Sequence, residues 1–184
     1  MPKLAVREGA RRAAVAVIVT DERDAALAFI RRRERSGDPW SGQMAFPGGF
    51  RAADEEPLAE TAERETLEET GLDLRAHGRR LGGLDELSPR TATLPPLIVT
   101  PSVYVVPARL PLAAGVEADE ALWIPAAELF ADANQRRFTL ELPSGPREFP
   151  AIRVGERIIW GLTERLLRQV RDLAGAPTGA RPPS

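Results

Sequence analysis

The segment from Pro57 to Gly71 constrains the fold more than any other part of this 184-residue sequence, because it carries helix signals at both ends. Proline is favoured at the first position of a helix, where its missing N–H costs nothing, and glycine commonly follows the last turn. Leu58, Ala62 and Thr66 recur at intervals of four residues, which is the spacing of one helix face. We therefore expect a helix that ends just before Gly71 and packs through this face.

Short apolar runs predict that most other elements are strands. The β-branched run Ala13–Val19 is typical of a buried strand, and a turn at Asp21–Asp24 joins it to a partner strand at Ala25–Arg32. Further strand-like stretches follow at Gln43–Phe46, Arg79–Leu84, Leu97–Val106, Ala121–Ile124, Arg137–Leu142 and Phe149–Val154. A chain with many strands and few helices predicts an α+β fold, arranged as an α/β/α sandwich around a mixed β-sheet.

Two more helices are expected in the second half of the chain. One is short, at Ala126–Phe130, and the other runs from Ile158 to about Leu173, with Trp160 packed on the sheet. The longer helix has an apolar stripe at the helical repeat, formed by Ile159, Leu162, Leu166, Leu167, Val170 and Leu173. This stripe predicts that one face of the last helix is buried.

The length and composition suit one folded domain. We expect this domain at residues 13–174, with an N-terminal arm at residues 1–12 and a flexible tail rich in Pro, Gly and Ala at residues 175–184. The longest apolar run is far short of the roughly 20 residues that cross a bilayer, and no secretory signal is visible at the N-terminus. The sequence therefore predicts a soluble, cytoplasmic protein.

Several classes of function are excluded by residue types that the sequence lacks. It has no cysteine, which excludes disulfides, thiolate catalysis and cysteine–zinc sites, and His77 is its only histidine, which excludes a zinc site with two histidines. The net charge of −2 gives no basic excess for wrapping nucleic acid, so affinity for phosphate must be local or carried by a metal. Neither nucleic acid nor a membrane is expected as a partner, and a homodimer is left open.

An acidic cluster lies in the second half of the predicted helix. Glu65, Glu68 and Glu69 are three and four residues apart, so their carboxylates share one helix face. Like charges at this spacing cost about 0.2–0.5 kcal/mol per pair, so a positive group should lie among them. Hard divalent ions such as Mg²⁺ and Mn²⁺ favour carboxylate oxygens, and Arg64 is placed to brace Glu68. The alternative interpretation is an ordinary solvated helix face.

Two glycines before the helix make the pattern more specific. Gly48 and Gly49 follow a short strand, and glycine lets a backbone approach a metal ion or a phosphate. Together with the segment from Arg64 to Leu72, they resemble the Nudix box, in which a Gly, five residues, a Glu and seven residues precede Arg-Glu-aliphatic-x-Glu-Glu-x-Gly-aliphatic. The resemblance to the Nudix hydrolase superfamily extends over about Ala13–Leu173 and implies the Nudix fold.

The chain departs from the Nudix pattern at two places. It has one residue more between Gly49 and Arg64, so either Glu55 or Glu56 fills the first Glu position. Thr66 stands where the pattern has an aliphatic residue. Neither departure touches the three helix carboxylates.

The resemblance implies a metal-dependent hydrolase that cleaves the diphosphate linkage of a nucleoside diphosphate joined to another group. It implies Glu65 and Glu69 as the leading ligands of Mg²⁺ or Mn²⁺, Glu68 as a further or bridging ligand, and the Gly48 carbonyl as the group that completes the shell. Arg64 is then a supporting residue of the same catalytic site. A small nucleotide is the expected partner.

The general base is less constrained by the pattern. In Nudix relatives it is a box glutamate or an acid on a later loop. Here a later loop offers Glu117, Asp119 and Glu120, of which Glu120 is ranked first, and Asp85 and Glu86 are further candidates. A solvated loop is the alternative interpretation for the first three.

The segment before the box resembles that of the coenzyme A pyrophosphatases of this superfamily. Arg33, Gly42 and Phe46–Gly49 fit that pattern, whereas Asp38 stands in place of an arginine and Trp40 in place of a histidine. Coenzyme A or a derivative is therefore the leading substrate hypothesis. The alternatives are nucleoside triphosphates, ADP-ribose or nucleotide sugars, and, in another class, a regulatory module that binds a nucleotide without cleaving it. The three intact glutamates argue against the last, because binding alone does not need them all.

Four residues outside the box are expected to bind the substrate. Arg33 belongs to a basic run that would face phosphates, and Arg90 is expected to reach a substrate phosphate. Trp40 can stack on a base, and Thr100 lies in the proline-rich stretch Arg90–Pro101, which we interpret as a pocket wall. The alternatives are a solvated strand end for the basic run and an irregular sheet edge for the proline-rich stretch.

Overall fold

A computed structural model of the chain describes residues 9–34, 41–53, 56–89, 96–142 and 145–175. The described residues form ten strands: β1 (Arg11–Thr20), β2 (Ala26–Arg32), β3 (Met44–Ala45), β4 (Gly48–Phe50), β5 (Arg79–Gly83), β6 (Leu97–Val106), β7 (Ala118–Pro125), β8 (Gln135–Leu142), β9 (Gly145–Val154) and β10 (Arg157–Trp160). They also form four α-helices and one 3-10 turn: α1 (Leu58–Thr70), α2 (Leu74–His77), α3 (Ala126–Phe130), α4 (Gly161–Gly175) and the turn Asp132–Asn134.

Strand β1 lies at the centre of a seven-stranded mixed sheet. It pairs in parallel with β6 along its whole length, from Arg11 beside Leu97 to Thr20 beside Val106, and it pairs antiparallel with β2 and β4. The strand order is β3-β2-β1-β6-β5, with β4 also on β1 and β7 also on β2. A parallel pair is normally covered on both faces, which explains why β1 and β6 are apolar runs. A second, antiparallel sheet has the order β10-β9-β8.

The two faces of the central sheet build separate hydrophobic layers. The first layer joins the sheet to α1 and α2 through the buried residues Ala14, Ala16, Ile18, Ala62 and Leu74. The second layer joins the sheet to the smaller sheet and α4, and its buried residues include Val17, Leu27, Phe29, Ile152, Ile159 and Leu167. The predicted α+β fold and α/β/α sandwich are therefore confirmed, with the smaller sheet in the same layer as α4.

Helix α1 has the packed face and the ending that the sequence predicts. Gly71 ends it in the left-handed conformation (φ 70°) and donates its N–H to the Leu67 carbonyl at 2.9 Å. Ala62 and Thr66 are fully buried against the sheet side. The Thr66 hydroxyl donates to the Ala62 carbonyl at 2.7 Å, so a threonine is satisfied where the Nudix pattern has an aliphatic side chain.

The prediction of the last helix is wrong at its N-terminal end. Residues Ile158–Trp160 belong to β10, because Gly155 takes the left-handed conformation (φ 58°) in a tight turn that folds β10 back on β9. Ile159 is buried from this strand, and the helix begins only at Gly161. Leu173, which was expected on the buried stripe, is 65% exposed.

Strand β4 and helix α2 have no counterpart among the sequence predictions. Strand β4 forms where the sequence indicates only a break, because Gly48 and Gly49 pair with Val15 and Ala14 of β1. Helix α2 is a single turn whose first N–H groups are capped by the side chain of Asp73.

The first strand and the last helix mark the two ends of the folded part that the structure describes. Strand β1 begins at Arg11, inside the segment predicted as an arm, and α4 continues to Gly175, the first residue of the predicted tail. The rest of that tail, residues 176–184, lies outside the described residues. Among the helices of the described ranges, none combines the length and the apolar character needed to cross a bilayer.

Candidate active site

Glu69 points from α1 into the protein, toward the bend between β3 and β4. It is 3% exposed, and its carboxylate accepts the N–H of Gly48 at 2.8 Å. Burial is the main cause that raises the pKa of Glu69 to about 7, and the charges of Glu65 and Glu117 act in the same direction. The Gly48 hydrogen bond and the charge of Arg32 oppose this rise. A cation beside this carboxylate would offset the cost of burying its charge.

Glu65 lies one turn before Glu69, and its carboxylate rests against the backbone of Gly49. A Cβ atom at position 49 would overlap that carboxylate, so only glycine allows the approach. Burial raises the pKa of Glu65, and the hydrogen bond from Arg64 opposes the rise. Glu65 and Glu69 therefore face the same two-glycine bend.

Gly48 is required by its conformation and by its neighbours. Its φ is 152°, and a Cβ atom there would overlap the Ala14 carbonyl oxygen. The next residue back, Pro47, accepts the N–H of Ala16 at 2.8 Å. Because backbone groups alternate in an antiparallel pair, those of Gly48 point away from β1, where its N–H meets Glu69. The Gly48 carbonyl shares this outer edge, which is the placement that the predicted metal ligand needs.

Arg64 joins three of the acidic side chains near the bend. Its guanidinium donates to Glu65 at 2.8 Å, to Glu56 at 3.1 Å and to Glu68 at 3.3 Å. These hydrogen bonds, the one to Glu56 foremost, raise the pKa of Arg64 above its usual value. A backbone hydrogen bond and Arg64 lower the pKa of Glu56. Glu56 thus lies beside Arg64 near the bend, and Glu55 lies outside the described residues.

Glu68 is placed differently from the other two helix carboxylates. Its side chain is 58% exposed and pairs with Arg64. Within the described ranges, no three acidic or histidine side chains are grouped so that they could hold one metal ion together. The donors at the bend still suit a hard divalent cation in kind, because Glu65, Glu69 and the Gly48 carbonyl offer oxygen atoms only. Glu68 could join them by leaving Arg64, and an exposed ion pair breaks at little cost.

Glu117, just before β7, is an acid whose charge reaches the carboxylates of the bend. Its charge raises the pKa of both Glu65 and Glu69. Glu120, the residue ranked first from the sequence, accepts two hydrogen bonds from Arg157 at 2.6 and 2.9 Å, and a β2 arginine lies 3.3 Å from it. Glu120 thus lies on β7, rather than in the predicted loop, and is paired with arginine. The ranking of Glu120 as first candidate for the base stays a prediction.

Two of the four predicted substrate-binding residues are described, and Arg33 is one of them. It lies just after β2, and its side chain, which is about half exposed, donates to Asp119 at 3.2 Å. Asp119 is the second residue of β7, and the Arg33 N–H donates to the Glu117 carbonyl at 3.0 Å, so Arg33 lies beside Glu117. Trp40 and Arg90 lie outside the described residues.

Thr100, the other described residue, lies on the same face of the sheet as the two-glycine bend. It pairs with Ala14 across β1 and β6, and Ala14 pairs with Gly49 across β1 and β4. Paired residues point to the same face, so Thr100 lies two strands from Gly49 on the α1 side. Its hydroxyl donates to Glu86 at 2.7 Å, and Glu86 also accepts Arg12 at 2.7 Å. Glu86 is therefore engaged in a partly buried ion pair.

Comparisons with known proteins agree with this architecture. A family model described as NUDIX domain matches residues 10–142. An uncharacterised protein of Schizosaccharomyces pombe is 36% identical over 118 residues, which make up 61% of this chain. The match covers 36% of that protein, so the chain spans about a third of the length of this curated relative.

Two solved structures resemble the chain over almost its whole length. The MutT/nudix family protein from Enterococcus faecalis has a TM-score of 0.63 and 19% identity, covering 94% of this chain and 65% of that one. The NUDIX domain of Shewanella oneidensis NrtR, complexed with ADP ribose, has a TM-score of 0.60 and 16% identity, covering 91% of this chain and 90% of that one. At these identities the likeness concerns the fold.

Proposed function

The chain belongs to the NUDIX family, and we propose that it hydrolyses the diphosphate linkage of a nucleoside diphosphate joined to another group, with the help of divalent metal ions. The observation that carries the proposal is the pair of carboxylates, buried Glu69 and partly buried Glu65, that face the Gly48–Gly49 bend. Members of the family generally use divalent metal ions, and an acidic pair of this kind favours such an ion.

We assign Glu65, Glu69 and the Gly48 carbonyl to Mg²⁺ or Mn²⁺, with Glu68 as a further ligand. When bound, such an ion supplies positive charge to the diphosphate and acidifies the attacking water. The assignment is supported by the raised pKa values of Glu65 and Glu69, because a nearby cation would favour their ionised forms.

The remaining residues of the site would orient and activate the reactants. Arg64 supports Glu65 and Glu68 through its hydrogen bonds, so we assign it a positioning role. Glu117 is our candidate for the general base that takes the proton of the attacking water, since it is the loop acid whose charge acts on both Glu65 and Glu69. Arg33 and Thr100 are assigned to the substrate, the former to a phosphate oxygen.

Coenzyme A or a derivative remains our leading substrate, on the resemblance of Arg33, Gly42 and Phe46–Gly49 to the coenzyme A branch. ADP-ribose is the second candidate, because the similar NUDIX domain of Shewanella oneidensis NrtR was crystallised with it. Nucleoside triphosphates and nucleotide sugars complete the set. A module that binds a nucleotide without cleaving it is the alternative from another class, and the three intact glutamates argue against it.

Substitution of Glu69 tests the hydrolase proposal. The purified protein is incubated with Mg²⁺ or Mn²⁺ and with coenzyme A, ADP-ribose, a nucleoside triphosphate or a nucleotide sugar, and the products are identified by mass spectrometry. We expect turnover of at least one substrate and a loss of about 100-fold or more in Glu69→Gln, because the carboxylate charge would be missing from the metal site.

Glu60→Gln is the matched control for this experiment. Glu60 is on the same helix, but its side chain is half exposed and pairs with Arg75 away from the bend. Its replacement should leave turnover unchanged. Binding of nucleotides without any product, or equal turnover in the Glu69 and Glu60 variants, would reject the hydrolase proposal.

A further inference from the structure

A tight turn ties the candidate base to the C-terminal end of α1. The turn is closed by the N–H of Ala118, which donates to the Gly115 carbonyl at 3.2 Å. On one side, the Gly115 N–H donates to the Glu69 carbonyl at 2.9 Å. On the other, the Arg33 N–H donates to the Glu117 carbonyl at 3.0 Å. The backbone around Glu117 is therefore fixed to α1 and to the end of β2.

Gly115 allows this attachment because it has no side chain. A Cβ atom at position 115 would overlap the Glu68 carbonyl oxygen and would lie 3.2 Å from the Glu69 Cα. The last carbonyls of a helix lack partners within the helix. Here the loop supplies them, since Ala113 also donates its N–H to the Thr70 carbonyl at 2.9 Å. The space available at position 115, rather than its conformation, thus requires glycine.

We propose that Gly115 is a positioning residue that sets the distance between Glu117 and the carboxylates of Glu65 and Glu69. This inference rests on the proposed hydrolase function and adds to it a residue 45 positions after Thr70, the last residue of α1. The Glu69 carboxylate accepts the Gly48 N–H of the bend, and the Glu69 carbonyl accepts the Gly115 N–H of the turn. One residue thus connects the two-glycine bend to the turn that carries Glu117. A shift of the turn would move Glu117 while Glu65 and Glu69 stay on α1.

Gly115→Ala tests the inference, with Mn²⁺ and with coenzyme A and ADP-ribose as substrates. The added methyl must push the turn away from α1, and a displacement of about 1 Å can reduce turnover about 100-fold. We expect this loss in kcat. The affinity for Mn²⁺ alone, measured by titration, should stay at the wild-type value, because Glu65 and Glu69 stay on α1.

Gly78→Ala is the control, because it also creates a backbone clash, milder than that at position 115, at another helix end. A Cβ atom there would lie 2.8 Å from the Leu74 carbonyl oxygen, at the end of α2 and outside the loop. This variant should lose some stability and keep wild-type kcat. If Gly115→Ala and Gly78→Ala are equally active, or if Gly115→Ala loses Mn²⁺ affinity in step with kcat, the positioning role is rejected.

A double-mutant comparison separates positioning of Glu117 from a general loss of structure. In a Glu117→Gln background, Gly115→Ala should lower kcat little further, because the group that it displaces is already gone. Independent losses that multiply in the double variant would overturn the inference.

If Gly115→Ala does not fold, Val116→Gly is the variant that tests the inference. The Val116 side chain is 79% exposed, so its removal costs little packing. The added glycine makes the turn more flexible, which should lower kcat in the same direction. Unchanged kcat in that variant would reject the inference.

The two proposals fail in different ways. A wild-type protein that turns over none of the substrates rejects the hydrolase function, and the inference about Gly115 with it. A wild-type protein with turnover, beside a Gly115→Ala variant of equal kcat, rejects the positioning role alone.

Discussion

Glu69 bears the largest electrostatic cost in the candidate site. It is almost completely buried, its nearest donor is the backbone N–H of Gly48, and Glu65 and Glu117 add negative charge around it. A residue in this position would weaken the fold at neutral pH unless a cation compensates for its charge. The same residue is thus expected to lower stability in the absence of metal and to support activity in its presence.

This trade-off can be measured as a pH-dependent stability difference. The folded pKa of Glu69, about 7, lies above its ordinary value of 4.5, so the stability that its protonated form contributes is lost as the pH rises from 4.5 to 7. With a chelator present, Glu69→Gln should therefore be more stable than the wild type by about 3 kcal/mol at pH 8 and about equally stable at pH 4.5. Urea unfolding at both pH values measures the difference, and a difference that is independent of pH would contradict the assignment of cost to Glu69.

Sequence spacing predicted which carboxylates share a helix face, but not how deeply each is buried. Glu65 and Glu69 are turned into the bend and Glu68 to solvent, because the rotation of α1 on the sheet is set by Ala62 and Thr66. The pairing of Glu120 with an arginine of β10 could not be foreseen from the sequence, because it joins residues 37 positions apart.

Helix α1 is held to the sheet by a polar contact as well as by its apolar face. The Tyr104 hydroxyl of β6 donates to Glu63 at 2.9 Å, and Arg75 of α2 also donates to Glu63 at 3.0 Å. Tyr104 is buried and the Glu63 side chain is partly buried, so this hydrogen bond is partly shielded from water. The contact fixes the N-terminal half of α1, whereas the acidic site is formed by its C-terminal half.

Removal of the tyrosine hydroxyl should therefore change stability without changing catalysis. Tyr104→Phe keeps the ring packing and leaves Glu63 paired with Arg75, so we expect the free energy of unfolding to fall by about 1–2 kcal/mol. The kcat should remain at the wild-type value. Denaturant unfolding and steady-state kinetics on the same preparation test this, and a loss of kcat with unchanged stability would show that α1 is positioned in another way.

The sequence pattern predicted helices and strands correctly where only one of the two periodicities fits, and it failed where a segment is compatible with both. Helix α1 and strand β6 have the predicted bounds, because caps and a long apolar run mark them. The run Ile158–Trp160 is compatible with both a strand and a helix. It forms a strand because the turn at Gly155 folds it back onto β9. In the folded chain Trp160 contacts Phe138 and Phe149, with ring centroids 4.7 and 5.5 Å apart, which no local pattern could indicate.

The layered architecture brings the parts of the candidate site together. Strand β1 pairs with β4 on one side and β6 on the other, while α1 packs across the same face. The two-glycine bend, the acidic half of α1 and Thr100 thus lie on one face of one sheet. The turn at Gly115–Ala118 closes this arrangement from the end of α1.

The most direct test of the account is the position of a bound metal ion. A crystal of the protein grown with Mn²⁺ should give an anomalous difference peak about 2 Å from carboxylate oxygens of both Glu65 and Glu69, beside the Gly48 carbonyl. The Glu69→Gln crystal should lack the peak, and the Glu60→Gln crystal should keep it. A peak elsewhere on the molecule, or none at the two-glycine bend at saturating Mn²⁺, would contradict the metal site on which the proposed hydrolysis depends.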